Sequence, residues 1–193
     1  MSTETKQAAF RLTAAKIVVV DDEHYMRKVV RTMLLGIGVR EVHEAADGVT
    51  GLELIRRINP DVVILDWQMP GMDGPTFVRM VRAPGSFPYP DVPIIMLTGH
   101  GEQWRVVQAM RLGVHEFLLK PVSADALKAR LASVLLNPRP MVRRGDYYGP
   151  QPHKITGGRP ELAGMVEQIE ARMPPKPARE PPLDRSSRHV IFV

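Results

Sequence analysis

The sequence predicts an α/β fold: a doubly wound, five-stranded parallel sheet in the order 2-1-3-4-5, followed by an irregular tail. Three observations carry that reading. Runs of large apolar residues such as Val62-Val63-Ile64-Leu65 and Ile94-Ile95-Met96-Leu97 read as strands buried on both faces, the parallel-sheet pattern. Five such segments alternate with stretches whose apolar residues recur at helical spacing. Four of them run into polar or charged residues at their carboxyl ends: Asp21-Asp22, Asp66, Thr98 and Lys120.

Residues 1–14 are polar and small, and a flexible start is expected there. The first strand is Lys16-Ile17-Val18-Val19-Val20, and three acids follow it, Asp21, Asp22 and Glu23. A helix over 23–35 carries Met26, Val29, Val30, Met33 and Leu34 at helical spacing, and Gly36 and Gly38 stop it. Residues 39–45 alternate weakly and form the second strand. The second helix, 48–58, has Leu52, Ile55 and Ile58 on one face and Pro60 beyond its end. The third strand runs to Asp66, and Pro70, Gly71 and Gly74 turn the chain at once. Residues 75–81 form the third helix, with Pro75 in the first turn.

Prolines 84, 88 and 90 make 83–90 a stiffened loop. The fourth strand, 93–98, has its proline at the first residue, where strands tolerate one. Residues 102–112 form the fourth helix, ended by Gly113. The fifth strand, 114–119, closes on Lys120-Pro121. Ser123 caps the fifth helix, 124–136, which turns Leu127, Leu131, Val134 and Leu135 inward.

A chain of 193 residues holds one ordinary domain with about 50 residues to spare, and 44% apolar residues suffice for a core. It has no cysteine, which excludes disulfides, thiolate metal sites and a catalytic thiol. No apolar stretch approaches the ~18 residues of a membrane span, and the start lacks a signal-peptide pattern, so a cytoplasmic protein without membrane insertion is expected. The six histidines are scattered without metal-ligand spacing. The net charge of +5 is unevenly placed. Residues 139–193 carry ten Lys/Arg against six Asp/Glu, leaving 16 against 15 in the first 138, so nucleic acid is not an expected partner of the folded part.

In a 2-1-3-4-5 sheet, ligands bind in the crevice between strands 1 and 3. That order brings Asp21, Asp22 and Asp66 together. Taken alone, Asp66 is either solvated at the sheet's edge or paired with a cation, because an unpaired buried carboxylate is costly. Three carboxylates repel one another, and one is driven to protonate unless a cation sits among them. Oxygen ligands with waters suit Mg²⁺. Thr98 and Lys120 add a hydroxyl and an ammonium around the same point. Such a set suits forming and holding an aspartyl phosphate, with cations neutralising the phosphoryl oxygens and in-line positioning supplying most of the catalysis. Singly, these residues have plainer readings. Phe117 on a buried strand is core, Thr98 satisfies a strand end, and His100 is a solvated loop residue.

Four pieces occur in order: VVVDDE, VVILDWQMPGMDG, PIIMLTG and EFLLKP. Together they resemble the receiver domain of two-component response regulators, a flavodoxin-like fold. The resemblance spans residues 16–136, about two thirds of the chain. It implies that Asp66 accepts a phosphoryl group from a histidine kinase or histidine phosphotransferase. Asp22 and Asp66 would ligate Mg²⁺ with the backbone carbonyl of Gln68, and Asp21 mostly through water. Lys120 would pair with the phosphate, and the Lys120–Pro121 bond that follows it would be cis. Thr98 would swing to the phosphoryl group while Phe117 rotates inward. The chemistry implied is self-catalysed phosphoryl acceptance and slow autodephosphorylation, not turnover of a separate substrate. The chain departs from the commonest pattern at Phe117, which has no hydroxyl, and at Gly99, where alanine is common.

The resemblance thus divides the chain into a flexible 1–14, a receiver domain over 15–137 and a Pro/Arg-rich tail over 138–193. Half of the 18 prolines fall in 139–193, and such a segment buries too little to fold alone. One short helix is plausible there, 160–173, with Leu162, Met165, Val166, Ile169 and Met173 on one side. The implied output is protein contact through the face of the fourth helix, fifth strand and fifth helix, or through the tail. A phosphorelay intermediate and a nucleic-acid-binding regulator using the basic tail are the alternatives.

Overall fold

A computed structural model describes residues 3–83, 85–99 and 108–151. Its elements are α1 (Thr3–Ala14), β1 (Lys16–Val20), α2 (His24–Ile37), β2 (Glu41–Ala45), α3 (Gly48–Ile58), β3 (Val62–Asp66), α4 (Gly74–Arg82), β4 (Ile94–Thr98), β5 (Glu116–Leu119), α5 (Ala124–Leu136), β6 (Met141–Arg144) and β7 (Tyr147–Pro150). Residues 108–111 are also helical and lead into Gly113. His100, Trp104, most of the fourth expected helix, and the expected helix at 160–173 lie outside the described residues.

The sheet is parallel in the expected order, β2-β1-β3-β4-β5. Strand residues alternate between its two faces and divide the core in two. Val18, Val20, Val63, Leu65, Ile94 and Met96 pack with Leu52 and Ile55 of α3 and Phe77, Val78 and Val81 of α4. Ile17, Val19, Ile64, Ile95 and Leu97 pack with Val30 and Leu34 of α2 and Leu127 and Leu131 of α5. Helices cover both faces of β1, β3 and β4, which is why these central strands read as unbroken apolar runs, whereas the edge strand β2 alternates.

Local chemistry sets where the helices begin and end. The side chains of Asp47, Asp73 and Ser123 accept backbone N–H bonds at the starts of α3, α4 and α5, satisfying donors with no partner inside the helix. Gly38 ends α2 in the left-handed region at φ 109°, a conformation a side chain strains.

Two segments depart from the sequence expectation. Residues 3–14, expected to be flexible, form α1, which lies against α5. Leu12 and Ala15 are buried in the core cluster beneath α2 and α5, and Arg11 Nη1 donates to the carbonyl of Leu135 at 3.0 Å. Among the described side chains of α1 only Leu12 is buried, which makes no periodic stripe in the sequence, so this helix depends on tertiary docking.

The second departure is in the expected tail. Its first part folds as an antiparallel hairpin of β6 and β7 around Gly145-Asp146, with Gly145 at φ 57°. Among the described residues the folded unit therefore runs to Gln151, whose N–H donates to Pro140 at 2.9 Å. The hairpin sits at the amino-terminal end of β5, away from the strand ends that carry Asp66 and Lys120. An added side chain on Gly113 would overlap the carbonyl of Tyr148, so the two backbones touch there.

Docking of α1 is directly measurable. Leu12→Ala should cost about 2 kcal/mol in chemical denaturation, the low end for a buried leucine. Phe10→Ala, at a side chain 70% exposed on the same helix, should stay within about 0.5 kcal/mol. Equal, negligible effects would show that α1 is not docked.

Candidate functional site

At the carboxyl edge, β1 runs out at Val20 and the next residue, Asp21, is buried, its N–H donating to Ala45 at 3.2 Å. Asp22 is exposed beside it. The neighbouring strand β3 ends on Asp66, also buried. Two strands away β5 ends at Leu119, and Lys120 reaches back over β4 to both acids. Its Nζ lies 2.7 Å from Asp66 Oδ1 and 3.1 Å from Asp21 Oδ2. One ammonium thus bridges two carboxylates that the sheet order holds side by side.

Backbone donors fix the carboxylates' other oxygens. Gln68 N–H donates to Asp66 Oδ2 at 3.0 Å, and Glu23 N–H donates to Asp21 Oδ1 at 2.8 Å. The loop after β3 returns tightly: Gly74 N–H donates to the Trp67 carbonyl at 2.9 Å, and a Cβ on Gly74 would overlap the carbonyl of Asp66. Glycine is required there because the returning backbone touches the strand end it has just left.

Electrostatics follow from burial and charge count. Burial pushes the Asp66 carboxyl up from its ordinary value; the Lys120 bond and charge pull against this, the Asp21 charge adds to it, and the net direction is up. For Lys120, burial pulls the ammonium down, but the hydrogen bonds and charges of Asp66 and Asp21 outweigh it and hold it above its ordinary value. Both directions describe one cluster with too little positive charge. The oxygens of Asp21, Asp22 and Asp66 lie within 4.8 Å of one another. Three ionised carboxylates against one ammonium leave a charge of −2. An all-oxygen donor set carrying that charge fits a small divalent cation.

The remaining expected site residues are placed as follows. Gln68 is beside Asp66 through its N–H. Thr98 ends β4, fully buried, with its hydroxyl donating to the carbonyl of Gly99 at 3.1 Å, so in this arrangement it serves its own strand end. Its carbonyl accepts the Lys120 N–H at 2.7 Å. Phe117 lies opposite Met96 and Leu119 opposite Thr98, so Phe117 and Thr98 project from one face of the sheet, one pleat apart. The guanidinium of Arg130 stands 5.9 Å from the Phe117 ring centre. The Lys120–Pro121 bond is cis.

One contributor was not legible in the sequence. Arg27, in the first turn of α2, donates through Nη1 to the carbonyls of Asp21 (2.6 Å) and Asp22 (3.1 Å). It also lies 3.7 Å from Glu44, tying the acidic loop to β2. An arginine six residues past an aspartate carries no motif of its own; only the fold brings the two together.

Comparison with known proteins agrees with this geometry. The family model described as "Response regulator receiver domain" matches residues 17–132. Chemotaxis protein CheY-3 of Vibrio cholerae is 33% identical over 119 residues, 62% of this chain and 90% of that protein. The chemotaxis protein CheY homolog of Campylobacter jejuni is 39% identical over 122 residues, 62% of this chain and 92% of that protein. Among solved structures, a putative response regulator from Chloroflexus aurantiacus superposes with a TM-score of 0.59 at 31% identity, covering 63% of this chain and 98% of its own. Vibrio cholerae CheY4 superposes with a TM-score of 0.57 at 35% identity, covering 63% and 98%. With the sheet order, the acidic strand ends and the match over most of the described residues all in agreement, the chain belongs to the response regulator receiver family.

Proposed function

We propose that this protein is a phosphorylation switch in two-component signalling, with Asp66 accepting a phosphoryl group from a histidine kinase and protein contact as the output. The observation that supports this most is the single ammonium of Lys120 shared between Asp66 and Asp21 at the edge of the sheet. Membership of the receiver family makes a phosphohistidine donor the natural partner.

In the proposed transfer, a carboxylate oxygen of Asp66 attacks phosphorus in line with the P–N bond of the donor. The new P–O bond forms as the P–N bond breaks, and the imidazole nitrogen keeps the electron pair. Lys120 is already 2.7 Å from Asp66 Oδ1, so its ammonium is placed to pair with a phosphoryl oxygen without a large movement. Gln68 N–H holds the carboxylate's orientation. Asp22 and Asp66, with the backbone carbonyl of Gln68 and with Asp21 mostly through water, would hold Mg²⁺, whose positive charge would be available to the phosphoryl oxygens. The Thr98 hydroxyl, released from Gly99, would turn to the phosphoryl group, and Phe117 would follow it on the same face. The chain is its own substrate, and slow hydrolysis of the acyl phosphate resets it. No described helix is long and apolar enough to cross a membrane, and the cytoplasm is the compartment proposed.

Two outcomes test the assignment. With Mg²⁺ and a small phosphodonor, the intact mass should rise by one phosphate, and Asp66→Asn should abolish the gain; undiminished labelling of the variant would contradict the acceptor. The same substitution should also alter stability. A carboxyl whose folded pKa is raised contributes stability that is complete below its unfolded pKa and lost as pH rises through the folded value. At neutral pH Asp66 is therefore a liability, and Asp66→Asn should melt at or above the parent temperature, the difference vanishing in acid. A variant that melts lower at neutral pH would show that the carboxylate is a net stabiliser.

A further inference from the structure

The hairpin of β6 and β7 lies beyond the part matched by the family model, which ends at residue 132. Its attachment is built from specific contacts. Arg139, just before β6, donates through Nη1 to the carbonyl of Gln151 at 3.0 Å and through Nη2 to the carbonyl of His115. One guanidinium therefore joins the hairpin's base to the residue preceding β5. The hydroxyl of Tyr148 donates to Asp91, and Tyr147 OH donates to the Pro150 carbonyl at 2.7 Å. Arg82, buried at the end of α4, donates to the carbonyls of Gly113 (3.1 Å), Pro90 and Val92 (2.9 Å), which firms the surface the hairpin covers. Burial and the charges of Arg82 and Arg139 hold His115 down at a pKa of about 3, so it is neutral at physiological pH.

The connection toward the site runs through Glu116, the first residue of β5 and itself buried. Its carboxylate accepts from Ser133 Oγ at 2.7 Å, pairs with Arg130 at 3.3 Å and faces Arg139 at 4.0 Å. The same Arg130 stands over the ring of Phe117. Phe117 is the next residue along, and Lys120 is three residues further. Chemistry at one end of a four-residue strand and the hairpin's anchor at the other thus share one strand and one carboxylate. A close-packed interior responds to such ties by changing between discrete packings rather than by stretching.

We propose that this hairpin is an intramolecular clamp that favours the unphosphorylated arrangement, so that phosphoryl loading at Asp66 and hairpin docking oppose each other. The proposal rests on the reading of Asp66 as acceptor. In the arrangement described, the hairpin is docked while Lys120 bridges Asp21 and Asp66, Thr98 bonds Gly99, and Arg130 stands over Phe117. A contact can shift an equilibrium only toward the state in which it is made. If loading turns the Phe117 ring, Arg130 and then Glu116 must readjust, and Arg139 loses its carboxylate neighbour. Linkage makes the effect reciprocal: whatever factor the hairpin costs the loaded state, loading costs the hairpin.

The test is hydrogen exchange on the full chain, with and without Mg²⁺ and beryllium fluoride as phosphoryl mimic, binding being read by fluorine NMR in the same samples. Amides of 141–151 should exchange faster on loading by about fivefold or more, the usual lower bound for coupled sites. Glu116→Gln should show a much smaller change in exchange and, by the same reciprocity, raise apparent affinity for the mimic, as should Tyr148→Phe, which removes only the hydroxyl. Bound fluoride with unchanged or slower exchange over 141–151 would overturn the clamp and leave the acceptor reading standing. Absence of bound fluoride in the parent protein would overturn the acceptor reading, and the clamp with it.

Discussion

The bridge from Lys120 to Asp66 and Asp21 is the constraint on which the arrangement depends. Burying two carboxylates with one ammonium costs several kcal/mol per ion in lost hydration, and mutual attraction offsets this only when geometry is tight. The sheet supplies that geometry. β1 and β3 are neighbours in register, so their terminal acids meet, and the long stem of Lys120 crosses β4 from β5. An order that parted β1 from β3, or carried β5 away from β4, would separate the three groups. The cluster is held together by the hydrophobic packing behind it, and that packing leaves it short of positive charge.

Burial and the shortage of positive charge are thus two sides of one arrangement. A solvated aspartate would cost nothing and would present no concentrated anionic site. Here Asp66 is withdrawn from water, its carboxyl is raised, and a neighbouring acid opposes its charge. Backbone N–H groups at Gln68 and Glu23 hold the acids in place before any partner arrives, which is preorganisation at the expense of stability. Arg27 works one layer out, bonding the carbonyls of the acidic loop rather than the carboxylates themselves.

Much of this was legible from residue order because two strong signals coincide. Fully apolar runs specify strands buried on both faces, and the acids, hydroxyl and ammonium that follow them mark the functional edge. Sequence could not show that Thr98 spends its hydroxyl on Gly99 in this arrangement, since that depends on a rotamer. It also concealed α1, whose docking rests, among its described side chains, on Leu12, with Ala15 just beyond the helix. The hairpin does carry a local signal: Gly145-Asp146 between short segments containing Val142 and Tyr148 is two-residue hairpin chemistry. Pro140 and Pro150 masked it by reading as breakers, although each sits where a two-stranded edge accommodates proline. The contact of Gly113 with the Tyr148–Gly149 backbone joins residues too far apart in the chain for any local pattern to reveal.

If the cluster's deficit of positive charge is what makes the site, it should take up a divalent cation as a titrating unit. Calorimetric titration of the full chain with Mg²⁺ from neutral pH downward measures this directly. The account predicts one Mg²⁺ per chain, with affinity falling as protons compete for the carboxylates. Because Asp66 is raised, that fall should begin above the pH at which an ordinary aspartate protonates. Absence of Mg²⁺ binding at neutral pH, or an affinity unchanged until ordinary carboxylate pH values are reached, would contradict it.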